Sequence, residues 1–196
     1  MTDDSERELV AFLGASIVAA GDWESWLPGE RVLNMGIPGD TTDAVLARLA
    51  SVVAAAPNVI VLLIGTNDFM EAKASVEHVV RNIETILVDL RRDLPGVRLL
   101  LVSITPGSDA IAAKITEANR HLRQFVATCH AQFLDLWPAL AEGDHLKTAL
   151  TEDGIHLNAD GYRAWVDELI PGLERLRGLP PMSRPMTAID LGDLAS

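Results

Sequence analysis

The chain has 196 residues, 48% of them hydrophobic, and a formal net charge of −12. That is enough apolar material for one sizeable core in a single domain, and the negative charge argues against nucleic acid or an anionic membrane surface as a partner, since both would repel it. Cys129 is the one cysteine, which excludes an internal disulfide and a cysteine metal cluster; it is expected to be a buried structural thiol in a helix.

The chain opens Met1-Thr-Asp-Asp-Ser-Glu-Arg-Glu8, acidic where a signal peptide needs a basic start, and the apolar stretch that follows is broken by Gly14 and Ser16. A cytoplasmic location is therefore expected. No apolar run approaches the ~18 to 20 residues needed to span a bilayer. Leu9 to Leu13 reads as a first buried strand ending at Gly14, and Arg31 to Asn34 as a short second one. The helical period of Val45, Leu46, Leu49, Val52 and Val53 follows, with Thr41, Thr42 and Asp43 as N-cap candidates. Val59 to Ile64 is a continuous β-branched and aliphatic run, as in a parallel strand covered on both faces.

A longer helix is expected through Val76, Val79, Val80, Ile83, Ile86, Leu87 and Leu90, stopped by Pro95-Gly96. Val97 to Ile104 supplies a fourth strand, Ile111 to Val126 another helix, and Gln132 to Leu136 a fifth strand. A final helix is expected from about Ala159 to Leu176, with Tyr162, Trp165, Val166 and Leu169 on one face. The tail from Gly178, with Pro180, Pro181 and Pro185, reads as an extended segment, giving a domain over 1–178 and a tail over 179–196. Strand and helix alternate throughout, which predicts an α/β fold with a mostly parallel five-stranded sheet. Functional groups in such sheets gather at the carboxyl ends of the strands, near the point where strand order reverses.

Several polar motifs fall at those ends. Gly14-Ala15-Ser16 follows the first strand, Asn34-Met-Gly36-Ile-Pro-Gly39-Asp-Thr41-Thr42 the second, and Gly65-Thr-Asn67-Asp68 the third. Asp153-Gly-Ile-His156-Leu-Asn158 lies just before the last helix. Taken singly, each has a plain structural reading as a turn, a cap or an Asx turn. A phosphate loop at Gly36 to Thr42 is disfavoured because the P-loop lysine signature is missing. Together they supply a nucleophile, a base, an orienting carboxylate and oxyanion donors, the parts of a serine hydrolase.

In this order and strand context the four blocks resemble the SGNH, or GDSL-type, hydrolases, over about residues 10 to 172. The resemblance implies a flavodoxin-like three-layer α/β/α sandwich and an esterase, lipase, thioesterase, deacetylase or arylesterase activity. It also implies that Ser16, Gly36, Asn67 and His156 are the four name-giving residues and that Asp153 completes the triad. One departure is visible: Ala15 stands where the family usually carries the aspartate of Gly-Asp-Ser, which removes hydrogen bonds bracing the nucleophile turn but not the triad acid.

The mechanism this implies has His156 as base to Ser16, Asp153 orienting the imidazole, and an oxyanion hole from Ser16, Gly36 and the Asn67 amide. It calls for a small-molecule ester or thioester substrate and for no cofactor or metal. An acyltransferase using the same serine, and a non-catalytic binding module on the same fold, are the alternatives; the sequence specifies no oligomeric state. His78, His121, His130 and His145 are expected in surface or packing roles, with spacing that suggests no metal site. Asp68 is expected to hold its loop. Trp23 and Trp26 are expected as core or loop anchors, with an acyl or aryl pocket as the other reading, and Thr105-Pro106 and Phe69-Met70 stand where they would border the cleft.

Overall fold

The computed structural model describes residues 7–178; the expected tail over 179–196 and the acidic residues 1–6 lie outside the described residues. Five strands, β1 (Leu9–Gly14), β2 (Arg31–Gly36), β3 (Val59–Leu63), β4 (Arg98–Val102) and β5 (Gln132–Leu134), pair in the order β2-β1-β3-β4-β5, all parallel. This is the doubly wound, flavodoxin-like order, and it reverses direction at β1 and β3. The helices are α1 (Ser16–Ala19), α2 (Trp23–Trp26), α3 (Thr42–Ala47), α4 (Leu49–Ala55), α5 (Thr66–Met70), α6 (Val76–Asp93), α7 (Asp109–Phe125), α8 (Trp137–Leu140) and α9 (Ala159–Gly178). A two-stranded antiparallel hairpin, β6 (Ala141–Glu142) with β7 (His145–Leu146), lies between α8 and α9.

Alternation along the strands divides the core into two layers. Ala11, Leu13, Ile60, Leu62, Leu99 and Leu101 face α3, α4, α6 and α7. Their neighbours Val10, Phe12, Val59, Val61, Leu100 and Val102 face α1, α2, α8 and α9. Strands buried on both faces carry no polar alternation, which is why β3 reads as an unbroken apolar run. In the second layer Trp23 stacks on Phe12 at 4.1 Å and meets Trp165 edge-on at 4.7 Å. Trp23 is therefore a core residue. Phe69 and Thr105, expected at the cleft border, are buried as well. Cys129 is buried at the end of a 3-10 turn after α7, where burial pushes its thiol up.

The ends of β4 and β5 fall two residues short of the sequence reading, and side-chain hydrogen bonds explain both. β4 ends at Val102 rather than Ile104 because the buried Asn119 amide takes the place of a neighbouring strand, accepting from Ile104 N at 2.8 Å and donating to Ile104 O at 2.9 Å. β5 ends at Leu134 because Leu136 N donates to the Ser103 hydroxyl at 3.0 Å. The helix expected through Val45 and Val53 is also broken, at Arg48, into α3 and α4. Thr41 caps α3 by accepting from Ala44 N, and Ser75 caps α6 by accepting from His78 N.

Among the described residues no helix is long and apolar enough to cross a membrane. Asn119→Leu leaves the Ile104 N–H without its acceptor in a dry site. Its unfolding free energy in urea is expected to fall by about 1–3 kcal/mol; a loss below about 0.5 kcal/mol would show that the amide finds another acceptor.

Candidate active site

β1 ends at Gly14, and α1 begins two residues later, so Ser16 occupies the first position of a four-residue helix with its N–H outside the intrahelical ladder. So short a helix is held by its neighbours. Tyr162 Oη donates to Ile17 O at 2.7 Å, while Trp23 Nε1 and Asn34 Nδ2 donate to Val18 O at 2.8 and 3.2 Å. β2 runs close beside it: a Cβ on Gly36 would lie 2.3 Å from Ala19 N, a contact that glycine alone permits.

The second half of the site comes from one turn before α9. Thr151 and Leu157 form an isolated antiparallel bridge, and the chain between them folds back through Gly154. Asp153 divides its oxygens: Oδ1 accepts from Ile155 N at 2.9 Å and His156 N at 2.7 Å, and Oδ2 faces His156 Nδ1 at 2.7 Å. These bonds, the imidazole contact first, hold the Asp153 carboxyl well below the usual carboxylate range. Thr151 Oγ1 donates to His156 O at 2.7 Å and accepts from Gly154 N at 2.9 Å, which closes the turn. His156 Nε2 then reaches Ser16 Oγ at 3.1 Å across 140 residues of sequence. An imidazole held by a carboxylate on one nitrogen and a hydroxyl on the other can take the hydroxyl proton and return it.

The groups expected as oxyanion donors are less evenly met. Asn67, in the first turn of α5, donates one amide hydrogen to Asp40 O at 2.9 Å and keeps the second without a partner among the described residues. Gly36 does not present the donor expected of it, because its N–H is already given to Asn34 Oδ1 at 3.0 Å in an Asx turn. Three residues on, Asp40 N donates to Ile37 O at 3.1 Å, and Gly39 takes a φ of +86°. Pro38-Gly39 thus occupies the centre of a type II turn, in which the Gly39 N–H is directed away from the turn's own carbonyls. Gly39 has no hydrogen-bond partner among the described residues, and Asn67 bonds the residue next to it. The sequence signal for Gly39 was Pro-Gly itself, which specifies a turn with φ above zero at the glycine.

The loop is anchored as expected at Asp68, which is buried and accepts from Thr42 N and the Thr42 hydroxyl; burial pushes its carboxyl up against those bonds. His78 and His145 pair with Asp43 and Asp109 at the surface. Two cavities flank the site. A small one of about 20 Å³ beside Ser16 is lined by Ile17, Leu63, Gly65, Asn67 and Ile155. A larger one of about 570 Å³ borders the Asp153 turn and is lined by Ser108, Asp109, His145, Glu152 and Asp153.

Comparison with known proteins adds the lineage. The chain is 28% identical over 171 residues to platelet-activating factor acetylhydrolase IB subunit alpha1 of Rattus norvegicus, covering 81% of this chain and 72% of that protein. The fold matches a GDSL-like lipase from Bacteroides thetaiotaomicron VPI-5482 with a TM-score of 0.78 at 21% identity, over 87% of this chain and 90% of the other. It also matches a carbohydrate esterase family 3 structure from Talaromyces cellulolyticus with a TM-score of 0.74 at 18% identity, over 88% and 100%. Residues 7–164 match the model of the GDSL-like Lipase/Acylhydrolase family, and the chain belongs to that family.

Proposed function

We propose that this protein is a serine-dependent carboxylic ester hydrolase for small acyl groups. The observation that carries the reading is the unbroken contact series from Ser16 Oγ through His156 to Asp153, at 3.1 and 2.7 Å. As Ser16 Oγ attacks the acyl carbon, His156 Nε2 takes its proton and Asp153 stabilises the imidazolium that forms. The carbonyl oxygen becomes an oxyanion among the Ser16 N–H, the spare Asn67 amide hydrogen and the Gly39 N–H, the last in place of Gly36. The intermediate then collapses, the imidazolium protonates the departing alcohol or thiol, and water activated by His156 releases the acid and restores Ser16.

The cavity beside Ser16 supports a small acyl group, since about 20 Å³ is little more than the ~10–15 Å³ that one water needs. The name of the rat relative, an acetylhydrolase, agrees with that size. The larger cavity borders the Asp153 turn, and the departing alcohol is assigned to it. The His156 and Asp153 side chains are each 52% exposed. This openness admits water to the acyl-enzyme and favours hydrolysis over transfer to a second alcohol.

Ser16→Ala and His156→Ala are expected to abolish turnover of p-nitrophenyl acetate, and Ser16→Ala to abolish labelling by a fluorophosphonate. Asn67→Ala is expected to keep folding and labelling while kcat drops roughly 10²- to 10³-fold. Equal residual rates in all three variants would refute the assignment.

Along a p-nitrophenyl ester series, kcat/KM is expected to be highest for acetate and to fall from butyrate to octanoate. A rate that rises with chain length would contradict the small acyl site.

The pH dependence follows from Asp153. A depressed carboxyl keeps its ionised form above the ordinary carboxylate range and gives it up only as pH falls through the lowered value. Asp153 therefore stays charged wherever the enzyme works and does not itself account for a loss of activity in acid. The acid limb of log kcat/KM is expected to have a slope of about one against pH; a slope near two would mean that Asp153 titrates together with the base.

A further inference from the structure

We propose that Arg48 is a positioning residue for the oxyanion turn, acting through Asp40 and Asn67. The proposal rests on the hydrolase reading above. Arg48 sits where the helix expected through this segment breaks, with φ −113° and ψ 11° between α3 and α4. The break leaves the Arg48 side chain turned toward the strand ends instead of running along the outside of a continuous helix. Its Nη2 donates to Met35 O at 2.8 Å and Gly14 O at 3.3 Å, and its Nε donates to Asp40 Oδ2 at 2.8 Å. Asp40 in turn accepts the Asn67 amide on its backbone oxygen at 2.9 Å.

One guanidinium thus spans three parts of the site: the end of β1 two residues before Ser16, the end of β2, and the turn that holds Gly39 and binds Asn67. The side chains of Arg48 and Asp40 are only 18% and 12% exposed, so the pair is sheltered from screening. A planar fork with donors on different edges can reach acceptors in several directions at once, which an ammonium on a flexible stem cannot do with fixed geometry. Ala15 has no polar side chain with which to brace the same turn, and Arg48 holds the carbonyl of its neighbour Gly14.

The test is a double-mutant cycle read on p-nitrophenyl acetate turnover, using Arg48→Met, Asn67→Ala and the pair, with Arg48→Lys alongside. In the unaltered background Arg48→Met is expected to lower kcat roughly 10- to 100-fold, less than deletion of an oxyanion donor, with KM changed by less than about threefold. In the Asn67→Ala background the same substitution is expected to cost less than about threefold, because the group it positions is gone. Arg48→Lys is expected to restore part of kcat.

Equal fold losses in both backgrounds, or an unchanged kcat, would overturn the proposal and leave Arg48 a general structural tie. If Arg48→Met does not fold, the cycle is run with Asp40→Asn, for which the same non-additivity with Asn67→Ala is expected and additivity is equally fatal. Absence of ester turnover and of Ser16 labelling in the unaltered protein would fell the hydrolase reading and this proposal together. Turnover with an additive cycle would fell this proposal alone.

Discussion

Gly14 and Gly36 are direct neighbours in register at the carboxyl ends of β1 and β2, and neither position can carry a side chain without moving the backbone around it. A Cβ on Gly14 would come within 2.1 Å of Leu63 O on β3, and one on Gly36 within 2.3 Å of Ala19 N on α1. Because both are bare, α1 starts immediately after the strand and lies against β2, with Ser16 at the point where strand order reverses. Every other part of the site is arranged around that close approach. Asn34 satisfies carbonyls at the end of α1 through Val18 and Ala19, and Tyr162 reaches from α9 to Ile17, so the sheet and the last helix both contribute to fixing one short helix.

His156 and Asp153 are organised on a different principle. Ser16 is held by long-range packing, whereas the His156 turn is nearly self-contained within residues 151–157. Asp153 accepts from two backbone N–H groups with one oxygen and faces the imidazole with the other, so the ring orientation follows from the turn itself. This explains how an exposed pair keeps a defined geometry. An ion pair at the surface contributes little on its own, but a carboxylate already fixed by peptide donors has little conformational freedom left to lose on meeting the imidazole.

The same division explains what could be read from the sequence. Features set by local pattern were legible: the unbroken apolar run of β3, the alternation of strand and helix, the Thr41 cap, and Asp153 three residues before His156. Features set by a distant side chain were not. The early ends of β4 and β5 depend on Asn119 and Ser103, which bond backbone 15 and 33 residues away. The break between α3 and α4 falls at Arg48, in a stretch whose apolar period continues through it, and only the carbonyls waiting at Gly14 and Met35 give the turn of that side chain a reason. Gly36 and Gly39 illustrate the limit within a single motif. Both glycines stand in the same motif, and which N–H is left without a partner among the described residues turns on whether Asn34 folds back onto the first, a hydrogen bond that periodicity and composition do not encode.

Substrate selection, on the proposed chemistry, is expected to be asymmetric about the scissile bond. The acyl side is confined by strand-end and helix backbone, including Leu63, Gly65 and Asn67, which belong to the framework that positions the nucleophile; it cannot widen without disturbing Ser16. The larger cavity, assigned to the alcohol, is bounded by the β4–α7 connection and the β6–β7 hairpin, segments the sheet does not depend on, and also by the 151–155 turn that carries Asp153. A chain built in this way fixes the size of the acyl group early and leaves the identity of the alcohol to its loops.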